Sequence, residues 1–469
     1  MPDTKTTTRV ERDSMGDMEV PADAFYGAST QRAVINFPIS GQRFPRRFLR
    51  ALGLVKRAAA EVNGELGLLE PKVAAAIAAA AQEVADGALD EQFPIDVYQT
   101  GSATSTNTNA NEVIAFRAGQ LLEGARVHPN DHVNKCQSSN DVIPTAMQLA
   151  AAMAIAEDLL PALERLRAAL AAKSAEFMPI VKTGRTHLQD ATPVRLGQEF
   201  LGYAGQLEES IRRARAAQAE LVVVPLGGTA VGTGINSHPE YAARACARLA
   251  ELTGLPVRET NNHFHAQAAL DATIAAHGQL RTIALSLWKV ASDIRLMGMG
   301  PRAGIGELAL PETQPGSSIM PGKVNPVIVE SLTMAVARVL GNDATVAFSQ
   351  TGSFLELNVM MPVAAVSILE TLTLLAHSAE NFAARCVEGL LATARGPELV
   401  EQGLMLATAF APVIGYDEAA KMAKEALKSG RTIRELAREK GFSDTDLDRI
   451  MDPAKLTEPG LEAGAGGSG

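Results

Sequence analysis

The run GSSIMPGKVNP, residues 316–326, places two hydroxyls (Ser317, Ser318), an ammonium (Lys323) and a carboxamide (Asn325) within nine residues. Its two glycines and two prolines exclude a helix interior, because proline lacks a backbone donor and glycine is costly to order. It is a loop, and loops held by a rigid scaffold are where chemistry tends to sit. Three more polar segments interrupt a sequence that otherwise reads as helix: TGSATSTN (Thr100 to Asn107), HPNDHVNKCQSSND (His128 to Asp141) and GRTHLQD (Gly184 to Asp190). Taken singly, each has an ordinary reading. The first run can be a helix connection, TGSATSTN a Ser/Thr-rich turn, QSSND the N-cap of a helix starting near Asp141, and His187 a satisfied histidine at a helix start. Taken together, many uncharged donors with one lysine and one histidine describe a pocket for a small anion. Lys323 and Asn325 can stabilise negative charge developing on a polar substrate, while serine or histidine can move protons.

Other chemistries are excluded by what is missing. The sequence has no Walker lysine loop, no GxGxxG and no HExxH, and GGTAVGTG (Gly227 to Gly234) has the wrong glycine spacing for a dinucleotide. Cys136, Cys246 and Cys386 are odd in number, widely spaced and without CxxC geometry, which argues against a disulfide framework or a zinc site and fits a reducing cytoplasm. A net charge of -10 argues against general nucleic-acid binding. The N-terminus lacks the apolar core of a secretory signal, and no run of eighteen uninterrupted apolar residues follows.

The elements that must position these groups are long helices. Leu149, Met153, Ala156, Leu160 and Leu163 alternate by four and three, predicting one helix from Asp141 to Phe177, about 50 Å long and bent at Pro161. The same spacing recurs in Leu196, Phe200, Tyr203 and Leu207, then in Leu280, Ile283, Leu287, Val290 and Ile294. Two further helical runs follow the loop, at Val327 to Ser349 and Val359 to Gly389. Five such helices predict an all-α bundle that packs within itself and against other copies of the chain. Ahead of it, Pro71 and Gly87 bracket a short helix, and QTGSATSTNTNANE reads as loop, with a helix from about Glu112. Two small amphipathic helices, YDEAAKMAKEALKSG and TIRELAREKG, follow Pro397. The predicted organisation is an N-terminal helical domain (1–140), the central bundle (141–395), a small C-terminal helical domain (396–458) and a disordered Gly-rich tail (459–469).

At GSSIMPGKVNP the sequence resembles the signature of the fumarase/aspartase superfamily, enzymes that add or remove a group across the double bond of fumarate. VERDSMGDMEVPADAFYGASTQRAV, FPIDVYQTGSATS, VHPNDHVNKCQSSND, GRTHLQDATPVRLGQEF, GGTAVGTGIN and IGYDEAA resemble family segments in family order, from about Val10 to Pro453. TGSAT, QSSND, LELN and SLTM are closer to class II fumarases than to aspartases. Cys136 and Ala103 depart from the usual fumarase serine and glycine. The resemblance implies reversible hydration of fumarate to L-malate, with aspartate ammonia-lyase as the alternative. It implies Ser317 as the base and Lys323 and Asn325 as stabilisers of an enediolate. His187 paired with Glu330 would handle the departing hydroxyl through water. Ser102, Thr104, Ser138, Ser139, Asn140 and Thr186 would hold the substrate, alongside Lys323 and Asn325. His128, Pro129, Asn130 and Asp131 resemble a second, peripheral anion site. The family further implies a homotetramer with a twenty-helix core and sites shared between subunits, and neither metal nor organic cofactor.

Overall fold

The structure is a computed structural model and describes residues 7–460. Most of the predicted tail, 461–469, lies outside the described residues. Among these residues the strands form only two-stranded sheets, and the fold is mostly helical.

Two compact units divide the chain. Among the described residues, one holds the chain up to Pro161, Ile211–Ala284 and Ala335–His377; the other holds Ala162–Ser210, Leu285–Met334 and the chain from Ser378. Their boundaries fall inside long helices. The first long helix runs Ser139–Phe177, the second Leu196–Leu221, the third Asp271–Met297, the fourth Val327–Phe348 and the fifth Met361–Phe382. Every residue of the predicted stripes in the second and third helices is buried. In the first unit, Gln218 on the second helix donates to the Ala152 carbonyl of the first at 3.0 Å. Likewise His277 on the third bridges Asp343 on the fourth and Thr371 on the fifth at 2.9 Å each. The second unit pairs Phe177 edge-on with Phe200, and Tyr203 donates to Asp293 at 3.1 Å.

The first stripe is interrupted. A π-turn at Ile155–Leu159 stands just before Pro161, where the missing proline N–H relaxes the helical ladder. Its extra residue rotates the register, so Leu159 is fully buried and Leu160 only partly. Two helices, Ser139–Phe177 and Met361–Val387, are long and apolar enough to cross a membrane, but most of each is buried within the chain.

Shorter elements follow local signals. Pro71–Asp86 starts on proline and stops at left-handed Gly87. In the second unit, Tyr416–Ser429 ends at left-handed Gly430 and Ile433–Glu439 starts on a Thr432/Glu435 capping box. With Asp444–Ile450 they close a C-terminal core around Phe410, Met422, Leu436, Leu447 and Met451.

Candidate active site

In the first unit the helix after TGSA begins at Thr104, eight residues earlier than the predicted start near Glu112. Asn107, Asn109 and Asn111 are buried there, and Asn107 and Asn109 donate to Asn134 Oδ1 (3.3 Å) and the Gln92 carbonyl (2.9 Å). Tertiary acceptors thus engage the Asn107 and Asn109 amide N–H groups, which would otherwise compete for the helical backbone. The helix starts from Ala103 in the left-handed region, φ 51°. Gly101 makes the approach possible, since a Cβ there would stand 1.9 Å from the Val359 carbonyl oxygen.

This start meets the first long helix through a row of hydroxyls: Ser102 to Thr104 at 2.8 Å and Thr104 to Ser139 at 2.8 Å. Ser138 caps that long helix. Its Oγ accepts from the Asn140 N–H at 3.2 Å and its own N–H donates to Asp141 Oδ1 at 2.9 Å. The other Asp141 oxygen accepts the N–H groups of Gly227 (2.9 Å) and Thr229 (3.0 Å), and Asn140 donates to the Ala230 carbonyl at 2.7 Å. GGTAVGTG is thereby stapled to QSSND. Burial pushes the Asp141 carboxyl up to about 6, against those N–H groups and Lys56, which lower it. The single acidic residue closing QSSND carried a cap signal in the sequence; its second role as a clamp on the glycine loop had no local signal.

His128–Asp131 leads into a π-turn, Pro129–Val133. The His128 Nδ1 accepts the N–H groups of Asn130 (3.3 Å) and Asp131 (3.1 Å), so those two backbone donors are already engaged.

In the second unit GRTHLQD is a β-hairpin, not a helix start. Strands Val181–Thr186 and Gln189–Arg195 pair antiparallel, with Thr186 opposite Gln189. His187 and Leu188 form the two-residue turn at φ 57° and 58°, the primed-turn geometry whose twist suits a hairpin. Thr186 and His187 are exposed at its tip. Below them, buried Glu307 pairs with Arg185 at 2.9 Å and with Lys182 at 3.2 Å, and Lys182 also reaches Glu199 at 3.0 Å. Burial raises the Glu199 pKa despite that lysine.

The loop 316–326 folds back on itself. Ser317 Oγ accepts the N–H groups of Ile319 (3.3 Å) and Met320 (2.9 Å). Lys323 donates to Asn325 Oδ1, and Asn325 donates to the Gly316 carbonyl at 3.1 Å, tying the two ends. Only glycine fits at 316, because a Cβ would lie 1.9 Å from the Lys323 carbonyl oxygen. Ser318 and Lys323 are exposed and Ser317 half-buried. An open cleft of about 710 Å³ borders the loop, lined by Lys323, Asn325, Arg295 and Thr393 among others. Glu330 stands exposed in the first turn of the fourth helix.

The candidate residues therefore form two sets. Ser102, Thr104, Ser138, Ser139 and Asn140 belong to the first unit; Thr186, His187, Ser317, Lys323, Asn325 and Glu330 belong to the second. Among the described residues, no hydrogen bond or ion pair joins His187 to Glu330, or either to Ser317 or Lys323.

Two family models match the chain: "Lyase" over residues 16–341 and "Fumarase C C-terminus" over 406–458. It is 53% identical to the class II fumarate hydratase of Halobacterium salinarum, over 97% of this chain and 98% of that protein. It is 51% identical to the class II fumarate hydratase of Methylorubrum extorquens, over 97% and 98%. The crystal structure of class II fumarase from Schistosoma mansoni superimposes with a TM-score of 0.94 at 39% identity, covering 96% of this chain and 99% of that one.

Proposed function

The chain belongs to the class II fumarate hydratase family of lyases, and on that premise we propose how its own residues carry out the reversible hydration of fumarate to L-malate. The substrate is a small dicarboxylate. Aspartate ammonia-lyase, the alternative left open by the sequence, is not favoured by relatives of this identity and coverage.

Removing a proton beside a carboxylate produces a doubly charged enediolate, so electrostatic stabilisation dominates the barrier. Ser317 is the base. A serine hydroxyl is ordinarily far too weak an acid for its alkoxide to persist, and the observation that carries this assignment is the pair of backbone N–H groups aimed at Ser317 Oγ. Lys323 and Asn325 exchange their mutual contact for the enediolate oxygens. Ser102, Thr104, Ser138, Ser139, Asn140 and Thr186 hold the carboxylates and hydroxyl. His187, polarised by Glu330, passes a proton through water to the departing hydroxyl. His128, Pro129, Asn130 and Asp131 form a second anion site that would draw on side-chain donors, its two backbone donors being engaged.

These roles need the Ser102 and Ser138 segments, the His187 hairpin and the Ser317 loop to converge, and we propose that they do so from different subunits of a cytoplasmic homotetramer. Leu201, Leu285, Trp288, Met334, Leu340 and Phe348 leave apolar surface on the second, third and fourth long helices, as expected of helices that pack against other copies. The activity is tested by offering purified protein malate, then aspartate, and following fumarate absorbance. Fumarate from malate alone is the expected result; release of fumarate and ammonia from aspartate would replace this reading with the ammonia-lyase.

A further inference from the structure

Lys56 is the anomaly of the first unit. It sits on the helix Arg46–Glu65 with 0% exposure, yet its ammonium meets two neutral amide oxygens, Asn134 Oδ1 at 3.0 Å and Gln137 Oε1 at 2.9 Å, and among the described residues no carboxylate lies within ion-pair distance. Burying a charge on such partners is expensive, and an apolar side chain of the same shape would pack there at less cost. Stability alone therefore gives no reason for a lysine.

The partners supply one. Asn63, seven residues on and so on the same helical face, donates to the Lys135 carbonyl at 3.0 Å. Gln137 turns its amide back onto the Val133 and Lys135 carbonyls at 3.0 Å each, and Asn134 donates to the Gln137 carbonyl at 3.1 Å. Between these anchors Cys136 is held at φ 60°, a conformation that a residue with a side chain adopts only when its surroundings impose it. Ser138 follows directly as the cap of the first long helix, and Ser139 joins the hydroxyl row.

We infer that Lys56 is a positioning residue for the substrate: by gripping Asn134 and Gln137 from beneath, it imposes the turn at Cys136 and so aims the Ser138–Asn140 helix start at a substrate carboxylate. This rests on the reading of Ser138, Ser139 and Asn140 as the carboxylate site. An ammonium has three N–H donors and a neutral amine two, so both contacts survive loss of the proton.

The test compares Lys56→Met, which keeps length and loses both donors, with Lys56→Gln, which keeps donors, and with Ser139→Ala. Each is measured for malate KM, kcat and Tm. Lys56→Met is expected to raise KM about tenfold with kcat within about threefold, the signature of lost binding geometry, and Lys56→Gln to recover part of it. Folded Lys56→Met with unchanged KM, while Ser139→Ala raises KM, overturns the role of Lys56 alone. Unchanged KM in both removes the carboxylate site itself. A fall in kcat or Tm with constant KM, or failure of both Lys56 variants to fold, makes Lys56 a folding residue and overturns the inference.

Discussion

The Met320 N–H points at the Ser317 hydroxyl oxygen across 2.9 Å, and the Ile319 N–H converges on the same atom. Two donors on one oxygen lower the cost of an alkoxide there. Ser317→Ala is accordingly expected to lower kcat by at least about 10³ without disturbing assembly, since the loop lies outside the packed stripes. Among the described residues no backbone N–H is bonded to the Ser318 hydroxyl, and Ser318→Ala should be milder. Fumarate absorbance with size measurement of each variant decides; activity of Ser317→Ala within a few-fold of the parent would remove Ser317 as the base.

Gly316→Ala should be nearly as damaging without touching a reactive group. Its Cβ would stand 1.9 Å from the Lys323 carbonyl, forcing apart the segment that carries Lys323 and Asn325. Misplacing such stabilisers is expected to cost about 10²-fold in rate, while Tm moves little because the loop is exposed. A variant with full activity would mean that the observed loop closure is irrelevant to turnover.

Because no hydrogen bond joins His187 to Ser317 among the described residues, a site shared between subunits predicts complementation. Dissociated Ser317→Ala and His187→Asn subunits, each inactive when re-formed alone, should regain part of the parent activity when re-formed together. Mixed tetramers verified by mass but as inactive as the controls would count against sites built from different subunits.

Lys56 and Asp141 impose opposite pH dependences on stability. Burial lowers Lys56 from 10.5 to about 7, so between those values the unfolded chain holds a proton that the folded chain has released, and stability rises with pH. Asp141 is raised from 3.8 to about 6; in that window the folded chain holds the extra proton, and stability falls as pH rises. Lys56→Met should therefore flatten the gain above pH 7. The check is the urea midpoint of parent and variant from pH 7 to 10 at fixed protein concentration, and parallel curves would show that Lys56 does not titrate there.

What was legible in the sequence was local. The 3-4 alternation of Leu280, Ile283, Leu287, Val290 and Ile294 depends only on helical period, and all five are buried. Gly316, Pro321, Gly322 and Pro326 exclude helix by backbone chemistry alone, which made the loop and its Ser317, Lys323 and Asn325 visible. The long-range partners decided the rest. Asn107 and Asn109 look like loop residues until Asn134 and the Gln92 carbonyl engage their side chains, which is why the helix starts at Thr104. His187 is a hairpin turn because Val181–Arg195 pairs with itself above Glu307, a residue over a hundred positions away. Lys56 and Asp141 are ordinary charges in the sequence and acquire shifted pKa values only through burial. Period and backbone stereochemistry act within a few residues, whereas burial and hydrogen-bond partnership depend on segments that only the folded chain brings together.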